Sequence, residues 1–285
     1  MWRFIIKILK RLNLFEKFNF KFIREVNKQK FYIPIIQGNG EGNLYSSEEW
    51  KIYLLDKLTK LKQGLFIDIG VNIGQTLIKL KSVDANYPYV GFEPNVNCAF
   101  YLKTLIKYNK WKNTSIIPIG IGNANEVLEL NFHFGGDEES ASMIKNLRPN
   151  DPIVEKEFVS VFSFDVIKFL FVKKVSIIKI DVEGYELEVL KGMSNFLKEQ
   201  SPFIICEILP VYSKENQERL VRQNELLNLL FLNDYCIFRI LPNGSLEELT
   251  EIGIHADIDL TYYLFVKRGD YYNIKNTFVV KPIVD

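Results

Sequence analysis

Four times between Gly64 and Leu209 a short apolar run closes on a carboxylate at a point where the chain must turn. "GLFIDIG" ends at Asp68 and a glycine before the helically spaced "TLIKLKSV", and "YVGFEP" ends at Glu93 before "NCAFYLKTLIKY". "VSIIKIDVEGYELEVLKGM" ends its strand at Asp181 and Glu183, after which Leu187, Leu190 and Met193 share one helical face. "PFIICEIL" reaches Glu207 before the helical "ENQERLVRQNELLNLLFL". Strands covered on both faces read as continuous apolar runs, and their alternation with helices requires crossover connections. The pattern therefore restricts the chain to an α/β fold, a mainly parallel sheet with helices on both faces. In such a sheet the strand carboxyl ends and the helix amino ends open onto one crevice, where ligands bind. Asp181 and Glu183 either serve that crevice or cap the following helix.

The remaining segments extend this frame. "TSIIPIGIGN" reads as the third strand, "EVLELNFHF" and "EFVSVFSFDVI" as antiparallel additions around the loop "GGDEESASM", and "YCIFRI" with "YYLFVKR" as a closing antiparallel hairpin. With 47% hydrophobic and 25% charged residues over 285 positions, the chain is an ordinary globular protein and not a disordered one. Cys98, Cys206 and Cys236 show no C-x-x-C spacing, which suggests neither a disulfide framework nor a zinc knuckle and fits a reducing, cytoplasmic compartment. His133 and His255 lie too far apart for a local metal motif.

Charge is distributed unevenly. Residues 1–30 carry nine Lys/Arg against Glu16 and Glu25, a net of +7, leaving −6 for the rest of a chain whose formal charge is +1. In "MWRFIIKILKRLNLFEKFNFKF" the lysines interrupt any run long enough to be a membrane span or a signal-peptide core. Such a basic amphipathic segment lies on an anionic membrane face, at the inner side of the membrane, or packs against its own domain. We read residues 1–45 as an N-terminal extension and 46–285 as the main domain. The net acidic remainder offers no basic stripe for nucleic acid.

The turn "DIGVNIGQT" (68–76) places Gly70 and Gly74 where a chain passes sharply from strand to helix. Asn72 stands where a dinucleotide fingerprint has its second glycine, and the G-x-x-x-x-G-K-[ST] loop is absent, so the turn does not suit a pyrophosphate. Glu93, ending the second strand, is placed to accept hydrogen bonds from both hydroxyls of a ribose. A ribose acid with a non-pyrophosphate glycine turn points to S-adenosylmethionine.

"FIDIGVNIGQT", "VGFEPN" and "IIKIDVEGYELEVLKGM" together resemble the FkbM-type methyltransferases, class I (Rossmann-like) S-adenosylmethionine-dependent enzymes marked by D-x-G-x-N-x-G and K-x-D-x-E-G-x-E. The resemblance implies O-methyl transfer, commonly to hydroxyls of sugars or polyketide-type products. It assigns Asp68, Gly70, Asn72 and Gly74 to the methionine half of the cofactor, Glu93 to the ribose, and the loop Gly120 to Asn123 to the adenine, with Asn123 standing where an acid is more usual. Asp181 and Glu183 would face the methyl group and the acceptor, either one as general base, with His133 as an outside candidate and Glu207 positioning the acceptor. Three neighbouring carboxylates could instead hold Mg²⁺, although no metal is indicated by spacing. Glu186 and Glu188 read as a solvated helix face. The expected acceptor is a small-molecule or lipid-linked glycan of a bacterial surface polysaccharide; the rival expectation is an inactive domain acting as a membrane-associated scaffold in glycan assembly.

Overall fold

A computed structural model describes residues 2–133, 141–144, 153–171 and 173–282. In chain order the strands are β1 (Phe20–Val26), β2 (Gln29–Ile35), β3 (Leu65–Ile69), β4 (Tyr89–Phe92), β5 (Thr114–Ile117), β6 (Gly120–Gly122), β7 (Glu126–His133), β8 (Ile153–Ser163), β9 (Val175–Ile180), β10 (Phe203–Glu207), β11 (Tyr235–Ile240), β12 (Leu246–Leu249), β13 (Tyr262–Lys267) and β14 (Val280–Lys281). The helices are α1 (Trp2–Arg11), α2 (Gly42–Tyr45), α3 (Glu49–Leu61), α4 (Gln75–Val83), α5 (Val96–Asn109), α6 (Phe164–Ile167), α7 (Glu186–Gly192), α8 (Ser194–Glu199), α9 (Gln217–Leu232) and α10 (Tyr271–Thr277).

Nine strands form the central sheet in the order β14-β12-β11-β13-β10-β9-β3-β4-β5. From β10 through β9, β3 and β4 to β5 every pairing is parallel, and β13 and β11 then close the sheet antiparallel. Every residue of β3 and β9 is buried, which is why both read as unbroken apolar runs. Alternation along the strands sends Phe66 and Ile177 into one core cluster, with Leu54, Leu58, Leu77 and Leu102 of α3, α4 and α5. Ile67, Ile178 and Ile180 enter the other, with Leu187, Leu190 and Leu227 of α7 and α9. The chain leaves β3 toward β5 on one side and returns to β9 on the other, so a crevice opens where the strand order reverses.

Two strand readings change in detail. The third run does not continue as one strand. Pro118 has no N–H to give the ladder, the chain turns there, and Gly120–Gly122 leaves the sheet to pair parallel with β8. β6, β8 and β7 thus form a separate three-stranded sheet in which β7 and β8 are antiparallel, as their alternation suggests. Most of the "GGDEESASM" loop lies outside the described residues. β11 and β13 do pair antiparallel, but the tight hairpin joins β11 to β12, and β13 inserts between β10 and β11.

Residues 2–45 pack on the rest of the chain. Phe31, Ile33 and Ile35 of β2 belong to the same buried cluster as α4 and α5. Asn109 Nδ2 donates to Tyr32 O at 2.8 Å, and the side-chain amides of Asn27 and Gln29 donate to Ser82 O at 3.0 Å. Among the described residues no helix is long and apolar enough to cross a membrane.

Candidate functional site

The crevice is an open cleft continuous with solvent. Gly70, Asn72, Phe92, Glu93, Gly120, Lys179, Asp181 and Glu183 line it, and Glu48, Lys51 and Tyr262 close one end.

β4 delivers Glu93. Its Oε2 accepts from Asn72 N at 2.6 Å and its Oε1 from Asn95 N at 2.9 Å, which fixes the carboxylate plane while each oxygen keeps a lone pair for the cleft. Burial pushes its pKa up to about 7, against the pull of these backbone donors. Asn95 caps α5 by accepting from Asn97 N and Cys98 N through Oδ1, and its Nδ2 has no partner among the described residues. The cap thereby leaves a buried donor of a cleft-lining residue unsatisfied.

The turn after β3 takes the left-handed conformation three times, at Gly70 (φ 79), Asn72 (φ 56) and Gly74 (φ 83). A Cβ on Gly70 would stand 1.9 Å from the carbonyl oxygen of Asp181, and one on Gly74 2.7 Å from Leu102 Cδ2. Both glycines permit close packing of the turn, on the end of β9 and on α5 respectively. Gly70 also lines the cleft, whereas Gly74 does not.

β9 delivers a lysine that the sequence shows only as an interruption in an apolar run. Lys179 and Asp68 are direct cross-strand partners in the β3–β9 register, with Lys179 Nζ 3.3 Å from Asp68 Oδ1. The same ammonium lies 3.3 Å from Asp181 Oδ2 and donates to Gly70 O at 2.5 Å. Asp68 is completely buried behind the cleft wall, where Tyr89 Oη donates to its Oδ2 at 2.7 Å. Burial raises the Asp68 pKa, partly offset by Lys179 and Tyr89.

Asp181 also accepts from Tyr262 Oη at 3.0 Å. Burial would raise its pKa, but Lys179, Glu207 and Lys51 together hold it well below the usual carboxylate range. Glu207 moves the opposite way, because burial and the charge of Asp181 keep its proton on; Thr261 Oγ1 donates to its Oε1 at 3.2 Å. Carboxylate oxygens of Asp181, Glu183 and Glu207 lie within 4.8 Å of one another, yet Glu207 is behind the cleft wall. Lys179 lies against Asp181 in this set, and burial with the charge of Asp181 raises the proton affinity of Glu207. Glu183 lines the cleft in a left-handed conformation (φ 51), its carbonyl fixed by Ser142 Oγ at 2.8 Å.

A family model for the Methyltransferase FkbM domain matches residues 68–239. The chain belongs to this family. FkbM methyltransferases depend on S-adenosylmethionine. Over 159 residues the chain is 27% identical to the hexuronic acid methyltransferase AglP of Haloferax volcanii, a match spanning 56% of this chain and 62% of that relative. The chain therefore matches less than two thirds of the relative's length. Among solved structures, Methyltransferase FkbM from Methylobacillus flagellatus KT is similar at 17% identity and TM-score 0.44, over 72% of this chain and 43% of that one. A SAM-dependent methyltransferase from Aquifex aeolicus is similar at 13% identity and TM-score 0.41, over 79% and 94%.

Of the residues singled out from the sequence, the FkbM cleft brings together Gly70, Asn72, Glu93, Gly120, Asp181 and Glu183. Asp68, Gly74 and Glu207 support its walls from behind, and Asn123, exposed after β6, stands outside the lining. His133 ends β7, and its side chain lies outside the described residues. Glu186 is not on a solvated face. It is buried, accepts from Gly184 N at 2.9 Å, and is pushed by burial to about 7, because its carboxylate folds back over the turn that precedes its helix. Glu188 pairs with Arg222 through two bonds, at 2.7 and 2.5 Å. The sequence reading missed Lys179, Asn95, Glu48, Lys51 and Tyr262. Lys51 is buried, bonded to Glu48 at 2.7 Å, with its ammonium 4.5 Å from the Tyr262 ring centroid. Glu48 also bonds Lys79 at 2.5 Å and is held at about 2 by the two lysines against burial.

Proposed function

We propose that the chain is an O-methyltransferase that moves a methyl group from S-adenosylmethionine to a hydroxyl of a sugar in a bacterial surface glycan or related metabolite. The observation that carries this reading is the Glu93 carboxylate. It is held by two backbone N–H groups at the carboxyl end of β4 and faces the same cleft as Asp181 and Glu183. Glu93 accepts the two ribose hydroxyls, Asn95 Nδ2 donates beside it, and Gly120 with Ile121 flanks the adenine in place of Asn123. Gly70 and Asn72 form the floor under the methionine half, backed by the Asp68–Lys179 pair.

Bound there, S-adenosylmethionine supplies an electrophilic methyl carbon on a sulfonium. The work of the chain is alignment and proton removal, and holding the reacting atoms in line supplies much of the acceleration. Asp181, whose proton affinity Lys179 depresses, orients the acceptor hydroxyl by accepting its hydrogen bond. Glu183 takes the proton as the acceptor oxygen attacks, since a carboxylate neutralised by an ammonium at 3.3 Å makes a poor base. The name of the Haloferax relative, a hexuronic acid methyltransferase, supports a sugar as the acceptor. A cytoplasmic setting, with the acceptor free or carried on a lipid at the inner face of the membrane, goes with this reading.

Calorimetric titration of S-adenosylmethionine and S-adenosylhomocysteine into wild type and Glu93→Ala tests it. Saturable binding that collapses in the variant supports the assignment, and nucleotide sugars and lipid-linked glycans then become the acceptors to screen. Folded wild-type protein that binds neither compound would overturn it in favour of an inactive scaffold.

A further inference from the structure

Helix α1 has three faces. At about 3.6 residues per turn, Ile6 and Leu9 point one way, and Ile6 is buried in the core cluster of the domain with Leu9 packed against it. Arg3, Lys7 and Arg11 form a second line at helical spacing, with Lys10 beside it, and all four are exposed. Phe4, Ile8 and Leu12 form a third, with Ile5 alongside, and this apolar line is left outside: Phe4 is 70% exposed, Leu12 59% and Ile8 41%. Lys17 and the 55% exposed Phe18 extend both characters past the helix end. The segment thus packs on its own domain through one face and leaves an apolar face bordered by cations.

Single exposed apolar residues need no explanation, but a contiguous apolar line bordered by Lys and Arg is the pattern of a helix that lies in a membrane interface. Ten residues are far too few to span a bilayer. The charge of the molecule is polarised to match, with a net of +7 in residues 1–30 against −6 elsewhere. Helix α1 is joined to the cleft wall through residues 41–48. Lys10 Nζ pairs with Glu41 at 2.6 Å, Arg3 stands 5.7 Å from the ring centroid of Tyr45, and the chain runs from there through Ser46, whose Oγ donates to Glu48 at 3.1 Å, into the cleft wall.

We infer that α1 with residues 12–18 is a docking surface for an anionic phospholipid bilayer, which holds the cleft beside the membrane. The inference is independent of the methyl-transfer chemistry, and it accounts for how a lipid-linked acceptor would reach the site.

Co-sedimentation of the full chain with vesicles of phosphatidylcholine alone, and of phosphatidylcholine with phosphatidylglycerol, tests it. Binding to the mixed vesicles only, weakened by salt, is expected. Lys7→Gln with Arg11→Gln should lower the partition coefficient about thirty-fold, since each cation near an anionic surface contributes comparably. Phe4→Ser with Ile8→Ser should abolish retention at moderate salt. Both doubles alter exposed side chains, so melting temperature and S-adenosylmethionine affinity should match wild type, which separates failure here from failure of the catalytic reading. Wild type that ignores anionic vesicles, or binding that both doubles leave intact, would overturn the inference. So would a concentration-dependent dimer in sedimentation that Phe4→Ser with Ile8→Ser dissolves while vesicles bind nothing, because a second copy would then cover the apolar line.

Discussion

With Glu93 assigned to the ribose as proposed, its burial ties cofactor affinity to pH. Burial raises its pKa from 4.5 to about 7 in the free protein, and both oxygens already accept one backbone N–H. A proton on this carboxyl occupies the outer lone pair that a ribose hydroxyl needs, so the cofactor selects the carboxylate. Affinity should rise about tenfold per pH unit up to pH 7 and level off above it, which amounts to about thirty-fold between pH 5.5 and pH 8. Calorimetry in buffers of different ionisation enthalpy should show about 0.9 proton released per cofactor bound at pH 6 and about 0.1 at pH 8. The stability of the free protein moves the other way. A folded pKa above the unfolded one favours the protonated native state, so this contribution is fully present below pH 4.5 and is lost as pH rises to about 7, on the order of 3 kcal/mol. Glu93→Gln, isosteric and uncharged, should bind weakly at every pH with no proton release. An affinity flat from pH 5.5 to 8 in wild type, or one that falls, would refute the assignment of Glu93 to the ribose.

Lys179→Met leaves Asp68 buried without its cation and should cost about 3–5 kcal/mol in urea denaturation, with part regained when Asp68→Asn is added. Glu183→Gln should lower kcat about 10²- to 10⁴-fold in a methyl-transfer assay while calorimetric cofactor affinity stays at the wild-type value. Asn95→Ser retains a helix cap but loses the Nδ2 donor; its melting temperature should hold and its cofactor affinity fall about fivefold, whereas Asn95→Ala should also lose about 1 kcal/mol of stability. Gly70→Ala forces a Cβ to 1.9 Å from Asp181 O, so binding measured by calorimetry should vanish even where circular dichroism shows folded protein.

Much of the frame was legible because burial writes directly into composition. β3 and β9 are apolar since both faces are covered, and their carboxyl ends carry Asp68 and Asp181. Lys179 was harder. It reads as a flaw in a strand until "FIDIG" and "IIKID" are set side by side as parallel neighbours, when it falls opposite Asp68. That pairing depends on strand order, which local pattern does not encode. Glu48, Lys51 and Tyr262 escaped for the same reason, since they come from α3, the turn before it and β13, remote in sequence from the glycine turn, and meet only because β13 inserts beside β10. Glu186 was misread because helical spacing gives the direction of a side chain from its own helix but not what the preceding turn folds over it.

The charges of the cleft make one pattern. Glu48, Glu93, Asp181 and Glu183 line it against Lys51 and Lys179, so its wall is net negative when Glu93 is ionised. Lys179 does not face an open ligand site as a free cation; it is committed to Asp68, Asp181 and the carbonyl of Gly70. Its commitment lets Asp68 and Asp181 sit in one buried wall and favours the ionised form of Asp181, the group proposed to hold the acceptor hydroxyl. The excess negative charge then favours a sulfonium over the neutral thioether left after transfer, because the lost positive charge was the partner of that wall. On the proposed assignment, such a wall would bind the sulfonium more firmly than the thioether and assist release.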